Sequence, residues 1–490
     1  MKSKTIDILR TFEGDEFKKL GKFLDSPYFK HPRDLVPIYN ALKPYYPEFS
    51  DPSLTKQSLF NRLYPGKNFG DTKSESLMKT LLSDLFKASR EFLVYLGLER
   101  DKNRRKYYML DQLRERKLYK QFEKEFTDTD TSIEDAGSLD LNALIDYFNA
   151  ENLGIAYHIE MGNASEVFKS MLSGTDFIML LAMIKAYRNT DIKHLTSAYN
   201  TPYKDNLADK VLANLDSEKL LADLAESGSD LYPYIAVNYY IHLMNKYPDE
   251  FEYYYKAKNL LFKHVMQFSR TEKYVLFSIL ASYCSRKSGR EHVERFSAEE
   301  FELNKMTLEL GIYRYSEKDD FQINNFRNMV LTALDVHEID WLEKFIEKYS
   351  RELNPKYRKN MKEYSLAQLY FARGEYERSL EEIAKIKYNY LFFQLDLKYL
   401  TFKNYYEMNY LEEADSVLNA ISRYISTTKD ISESFRNRGT SFVKFARELL
   451  RRKSEKNSTD IDLLLKKIMN DEEVNSRQWL VEKVDEIIIN

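Results

Sequence analysis

The chain has 490 residues, a formal net charge of −3, 43% hydrophobic and 31% charged residues, a balance that excludes a disordered chain. Its single cysteine, Cys284, excludes an intrachain disulfide framework and a thiolate zinc cluster, and points to a reducing, cytoplasmic setting. Only 14 Gly and 11 Pro stand beside 38 Tyr and 30 Phe, so the expected fold is all-α, built from long helices whose seams are filled by rings.

Residues 1–126 read as a basic N-terminal helical module. Positions 1–125 hold 26 Lys and Arg against 18 Asp and Glu, a balance of +8, which leaves −11 for the rest of the chain. The opening stretch MKSKTIDILRTFEGDEF lacks the apolar core and small-residue cleavage site of a secretory leader. Within the module, KQSLFNRLY and SESLMKTLLSDLFKASREFL are helical, separated by PGKNFGDTK. That connection exceeds the roughly three- to four-residue turn of a DNA-binding helix-turn-helix, so an ordinary helical hairpin is expected.

An acidic linker, TDTDTSIEDAGSLD, occupies 127–140. A degenerate array of helical hairpins is expected over 141–320. Its longest unbroken apolar run, Phe177 to Ile184, is far short of the ~20 residues of a membrane span, so no membrane partner is expected. Leu231 to Tyr247 is apolar on nearly every face, as an inner helix is, whereas Asp249 to Phe268 alternates rings with charges, as an outer helix does. Ser269 with Glu272, Ser297 with Glu300, and Asp249 with Glu252 have the spacing of helix-starting capping boxes. A second linker is expected at KSEKNS, 453–458, before a C-terminal helical cap over 453–490 that ends in Trp479, Leu480, Val484 and Ile487.

Between 321 and 452 a repeat becomes readable. Leu366, Ala367, Tyr370, Gly374, Tyr376, Ser379, Leu380 and Ile383 form one unit, and Phe402, Tyr405, Asn409, Ala414 and Leu418 form the next, with 35 positions from Ser379 to Ala414. A weaker unit upstream carries Leu342 and Ile346 and closes at Pro355. Over about 325–424 these residues resemble the tetratricopeptide-like family of helical-repeat α-solenoids, which implies antiparallel hairpins stacked into a binding surface. Glu363 and Lys398 depart from the family, which has a large ring at those positions, and Met329 and Thr401 fit imperfectly. As a whole the chain is similar to large, tyrosine-rich helical proteins of bacteria.

For function, the charge run KNRRKYYMLDQLRERKLYKQFEK at 102–124 is the candidate interaction surface: Arg104, Arg105, Lys106, Tyr107, Arg114, Arg116, Lys117 and Lys120 offer cations and a ring of the kind that tracks a phosphate backbone. The competing reading is one helix with Leu110, Leu113, Leu118 and Phe122 inward and its charges solvated, and it is the preferred one. His242, His264 and His158 lack metal-ligand spacing, Cys284 reads as a small buried hydrophobe, and Gly21-Lys22 and Gly66-Lys67 lack the rest of a phosphate-binding loop. No catalytic, cofactor or metal residue is assigned. The expected function is therefore a non-catalytic scaffold that binds a protein or peptide, an acidic groove favouring a basic partner. A nucleic-acid-associated regulator is the alternative, and an enzyme of unrecognised type comes third.

Overall fold

A computed structural model describes every residue except 2, 30–31, 128–140, 199–203, 288–292, 388–390, 429–432, 456–459, 472–473 and 490. The described residues are all-helical, with no strand beyond one isolated bridge between Phe321 and Leu353. Contacts divide the chain into two units, residues 1–129 with 149–171, and residues 130–148 with 172–490. From residue 128 on, the acidic linker lies outside the described residues.

In the first unit α1 (Lys4–Leu9), α2 (Gly14–Asp25), α3 (Val36–Leu42) and α4 (Lys56–Leu63) all pack on α5 (Thr72–Arg100). The 29-residue α5 starts where the Asp71 carboxylate accepts from the Ser74 amide at 2.6 Å. Met78, Leu81, Leu82, Leu85, Ala88, Phe92 and Leu96 recur on its buried face at three- and four-residue intervals. With that face covered, α5 is the centre of a helical core. Then come α6 (Lys102–Glu115), α7 (Tyr119–Thr127) and α8 (Leu141–Glu160), where Leu110, Phe122, Leu153 and Tyr157 form a small separate core.

After α9 (Ala164–Ala198), the second unit continues with α10 (Leu207–Asn214), α11 (Ser217–Glu226), α12 (Tyr232–Lys246), α13 (Glu252–Lys263), α14 (Arg270–Lys287) and α15 (Val293–Glu309). It goes on through α16 (Ile323–Asp335), α17 (Ile339–Tyr349), α18 (Pro355–Ala372), α19 (Tyr376–Lys385), α20 (Leu391–Glu407) and α21 (Leu411–Thr427). It ends with α22 (Glu433–Glu455), α23 (Ile461–Asn470) and α24 (Arg477–Ile489). Each of α12, α14, α16, α18 and α20 packs against the helix that follows it, and α12 touches α14, α16 touches α18 and α18 touches α20. The all-round apolar character of Leu231 to Tyr247 matches its burial: α12 is buried nearly all round, while α13 buries one stripe, Tyr254, Ala257, Lys258 and Leu261.

A single left-handed residue turns the chain at the ends of α16, α18 and α20: His337 (φ 57°), Gly374 (φ 75°) and Asn409 (φ 60°). At each, the next amide bonds the carbonyl five residues back, from Glu338 to Ala333, Glu375 to Tyr370 and Tyr410 to Tyr405, all at 2.9 Å. Ser379 is fully buried and its hydroxyl donates to the Ala367 carbonyl at 2.8 Å, while Asn404 Nδ2 donates to the same hydroxyl at 3.0 Å, joining α18, α19 and α20.

Several sequence readings are corrected. Asp249 starts no helix; α13 begins at Glu252 and the Asp249 carboxylate pairs with Lys287 Nζ at 2.7 Å. Ser297 and Glu300 lie inside α15, which begins at Val293, so neither caps it. Ser269 does accept from the Glu272 amide at 3.2 Å, but the Glu272 carboxylate turns inward to Arg188 Nη2 at 2.6 Å, and Arg188 Nε donates to Asn238 Oδ1 at 2.7 Å. Pro355 opens α18 instead of closing the preceding repeat, because its fixed φ suits a first helical position. Lys453–Glu455 complete α22, and 456–459 lie outside the described residues. Finally, Ala164–Asn189 within α9 is long and apolar enough to cross a membrane by length and composition, with mean hydropathy 1.5, since helix averaging spans the isolated charges that end the run at Ile184. Phe177, Leu180, Ile184 and Tyr187 on this helix are buried in the second unit's core.

Two stability outcomes follow from these contacts. Gly374→Ala costs about 1 kcal/mol by forcing a side chain into the left-handed region, whereas Asn409→Gly is neutral or stabilising by up to about 1 kcal/mol, measured by urea unfolding. Glu272→Ala strands the buried Arg188 guanidinium and costs about 3–5 kcal/mol in the same measurement.

Candidate functional site

Polar residues from α14, α15, α16, α18, α20 and α24 line one open groove of about 1180 Å³. One wall is α14, where Ser278, Ala281, Ser282 and Ser285 succeed one another on the lining face and, being small, leave the space unfilled. Glu300 and Asn304 come from α15, Asn325, Asn328 and Asp335 from α16, Gln368 from α18, and Lys403 and Glu407 from α20. Trp479, Glu482 and Lys483 on α24 close another side. The expected C-terminal cap thus contributes a groove wall: Trp479 is buried against Phe402 and Tyr406, and its indole N–H donates to Glu407 Oε1 at 3.0 Å.

Charges within the groove fall into paired and unpaired sets. Glu407 and Lys483 form an ion pair at 2.8 Å. Among the described residues Lys403 has no ion pair; its Nζ lies 5.5 Å from the centroid of the Trp479 indole. Burial pushes its pKa down to about 8, and the fields of Asp335 and Glu482 oppose the fall. Glu300, only 6% exposed, is pushed up to about 8 by burial, with the Thr332 hydroxyl opposing and the Asp335 charge adding to the rise. Asp335 is wetted by the groove yet surrounded by protein, and loss of bulk solvation raises it to about 6 against the fields of Lys403 and His337. Asn304, buried beside Glu300 one helical turn on, has an amide nitrogen with no hydrogen-bond partner.

The sequence reading assigns none of Glu300, Asp335 and Lys403 to a functional site. Glu300 was assigned to a cap, and Asp335 and Lys403 sit between repeat positions that carry the apolar signal. The usable signal was the occurrence of polar residues on faces where an inner helix should be apolar.

The basic candidate surface is differently built. Arg116 and Lys117 end α6, and Lys117 takes the left-handed conformation (φ 55°), so the run is two helices, not one. That break leaves Leu118 40% exposed, whereas Leu110 and Phe122 are fully buried and Leu113 is partly so. Arg104 lies 3.4 Å from the Asp101 carboxylate, and Arg114 approaches Asp111 and Glu160 at 3.6 and 3.8 Å. Arg116 bonds the Gln112 side chain, Tyr107 packs on the local core, Lys106 is half-buried, and Arg105, Lys117 and Lys120 are exposed. The eight residues therefore do not present one free cationic face.

Cys284 is fully buried and burial pushes its thiol up, consistent with a packing residue; His242 is held down to about 4, chiefly by burial. Among the described residues no group of three or more His, Cys, Asp and Glu side chains is placed to hold a metal ion. Comparison with family models, curated proteins and solved structures finds no match to this chain.

The raised pKa of Glu300 has a definite sign. Between its ordinary 4.5 and about 8, the folded chain keeps a proton that the unfolded chain releases, so stability falls as pH rises through that window. Glu300→Gln, which removes the ionisation, matches wild type near pH 4 and exceeds it by about 2–4 kcal/mol above pH 8, as read from urea midpoints at both pH values.

Proposed function

We propose that the hairpins of the second unit form a tetratricopeptide-like array whose groove binds an extended peptide segment of a protein partner without catalysing a reaction. The observation that carries this reading is the set of amide side chains that line one open space, Asn304 from α15, Asn325 and Asn328 from α16 and Gln368 from α18. Each primary amide carries donors and an acceptor together, and beyond the bonds that Asn325 makes to Tyr274, Asn328 to Arg327 and Gln368 to Tyr364 each keeps capacity that matches the N–H and C=O groups of an extended backbone. The size agrees: about 1180 Å³ exceeds the ~300–1000 Å³ typical of small-molecule pockets. The lining carries both signs of charge, Lys403 and Lys483 beside Asp335, Glu407 and Glu482, so partner charge is selected locally within the groove.

Selection of a random peptide library on the full chain should enrich binders, and Asn325→Ala with Asn328→Ala should weaken them at least about tenfold by fluorescence anisotropy. Failure to enrich, or enriched peptides indifferent to both substitutions, overturns the reading.

A second reading, nucleic-acid association through the first unit, is favoured by the exposed Arg105, Lys117 and Lys120. It requires that the full chain shift single-stranded RNA or DNA at low salt and that Arg105→Glu, Lys117→Glu and Lys120→Glu together abolish the shift.

A further inference from the structure

We propose that the exposed face of α9 is the docking surface for a second copy of this chain, the two helices lying antiparallel. The inference is independent of the groove. It starts from a mismatch between composition and burial: Ala164–Asn189 has the mean hydropathy of a membrane-crossing segment, yet only 28% of its most apolar window is buried. Ser170, Phe177 and Ile184, seven residues apart, are buried and hold the helix in place. On the opposite face Phe168, Leu172, Thr175, Met179 and Ala182 are all exposed, Phe168 at 63% and Leu172 at 71%.

Those five residues follow one another at intervals of four, three, four and three, the spacing of a coiled-coil seam, in which each side chain meets another helix. Met171 and Ile178, also exposed, flank the seam on one side, and Lys169 and Asp176 flank it on the other. Single exposed hydrophobic residues are ordinary, but a continuous stripe of large ones at this spacing marks a contact surface. Because the buried face already fixes the helix, docking orders side chains and not backbone, so a seam too short to fold by itself is enough.

The charges say what covers it. Lys169 and Asp176 are opposite in sign and seven residues apart on one flank. An antiparallel pair with a two-fold axis places Lys169 of each copy opposite Asp176 of the other, so one register makes both ion pairs. The same register sets Phe168 against Met179, Leu172 against Thr175 and Met171 against Ile178. A parallel pair brings Asp176 against Met171 and leaves both charges unmatched. A lipid surface would press the Asp176 carboxylate, midway along the stripe, against acyl chains or anionic headgroups. Among the described residues Asp176 has no ion pair, while Lys169 meets Glu166 at 2.5 Å on its own helix, an exposed contact that is worth little and leaves the ammonium donors to spare.

The test is sedimentation velocity of the full chain from about 1 to about 100 µM, where a monomer–dimer equilibrium is expected because the stripe is smaller than a standard interface of ~20–30 residues a side. Leu172→Glu should weaken association at least about tenfold while unfolding at the wild-type urea concentration, since its side chain is exposed. Lys169→Glu and Asp176→Lys should each weaken it at least about threefold, and an equimolar mixture of these two variants should regain wild-type association, because the mixed dimer restores both ion pairs. A monomer at every concentration, a dimer indifferent to Leu172→Glu, or a mixture that associates no better than either variant alone overturns the proposal. Wild type that stays monomeric and floats with phosphatidylcholine–phosphatidylserine vesicles, where Leu172→Glu does not, overturns it in favour of a lipid surface.

Discussion

Repeated reversal of the chain by one left-handed residue is the constraint on which the second unit depends. At His337, Gly374 and Asn409 the same bond pattern satisfies the carbonyls that a helix end leaves open and sends the chain back along the helix it has just left. Because α16, α18 and α20 are returned in this way, their inner faces contribute to one lining. Glycine occupies only one of the three turns. The other two accept the strain of a side chain in the left-handed region, which local contacts must outweigh.

Inside that lining, rings and polar groups divide the work. Rings fill the seams, with Phe402 and Tyr406 against Trp479 and Tyr364 against Phe393, each fully buried ring contributing roughly 1.5–3 kcal/mol. Polar pairs fix register between helices: Arg327 forks onto Asp396, one arm at 2.8 Å, and ties α16 to α20, as Arg188 ties α9 to α12 and α14. Glu300, Asn304, Asp335 and Lys403 belong to neither class. Glu300 is buried with the Thr332 hydroxyl as its hydrogen-bond partner, the Asn304 amide nitrogen is buried without one, and Asp335 and Lys403 act on each other through their fields.

Much of the helical framework was legible in the sequence because its causes are local. Gly374 and Asn409 stand where a turn must go left-handed, and Ser379 and Ala414, both fully buried, stand where helices cross closely. The errors are local as well. A serine three residues before a glutamate has one spacing whether the carboxylate turns back to the helix start or inward; Glu272 and Glu300 turn inward, toward Arg188 and the groove respectively. The groove itself was not legible, since its lining runs from Tyr274 to Lys483 and no spacing rule joins positions two hundred residues apart. The basic run at 102–124 was conspicuous for the opposite reason: its charges are contiguous in sequence, though Asp101, Asp111 and Glu160 neutralise part of them in space.

The placement of the two tryptophans gives the molecule an optical consequence. Trp341 is held among Phe301 and Phe345 in a core cluster, while Trp479 lines the groove, its N–H on Glu407 and the Lys403 ammonium near its ring. Indole emission responds to nearby charge, and one of the chain's two indoles is therefore exposed to any change in the groove's electrostatics while the other serves as an internal reference. The same tyrosine-rich seams that build the fold surround both with energy donors, so excitation collected across the chain reports, in part, on the charges of a single cleft.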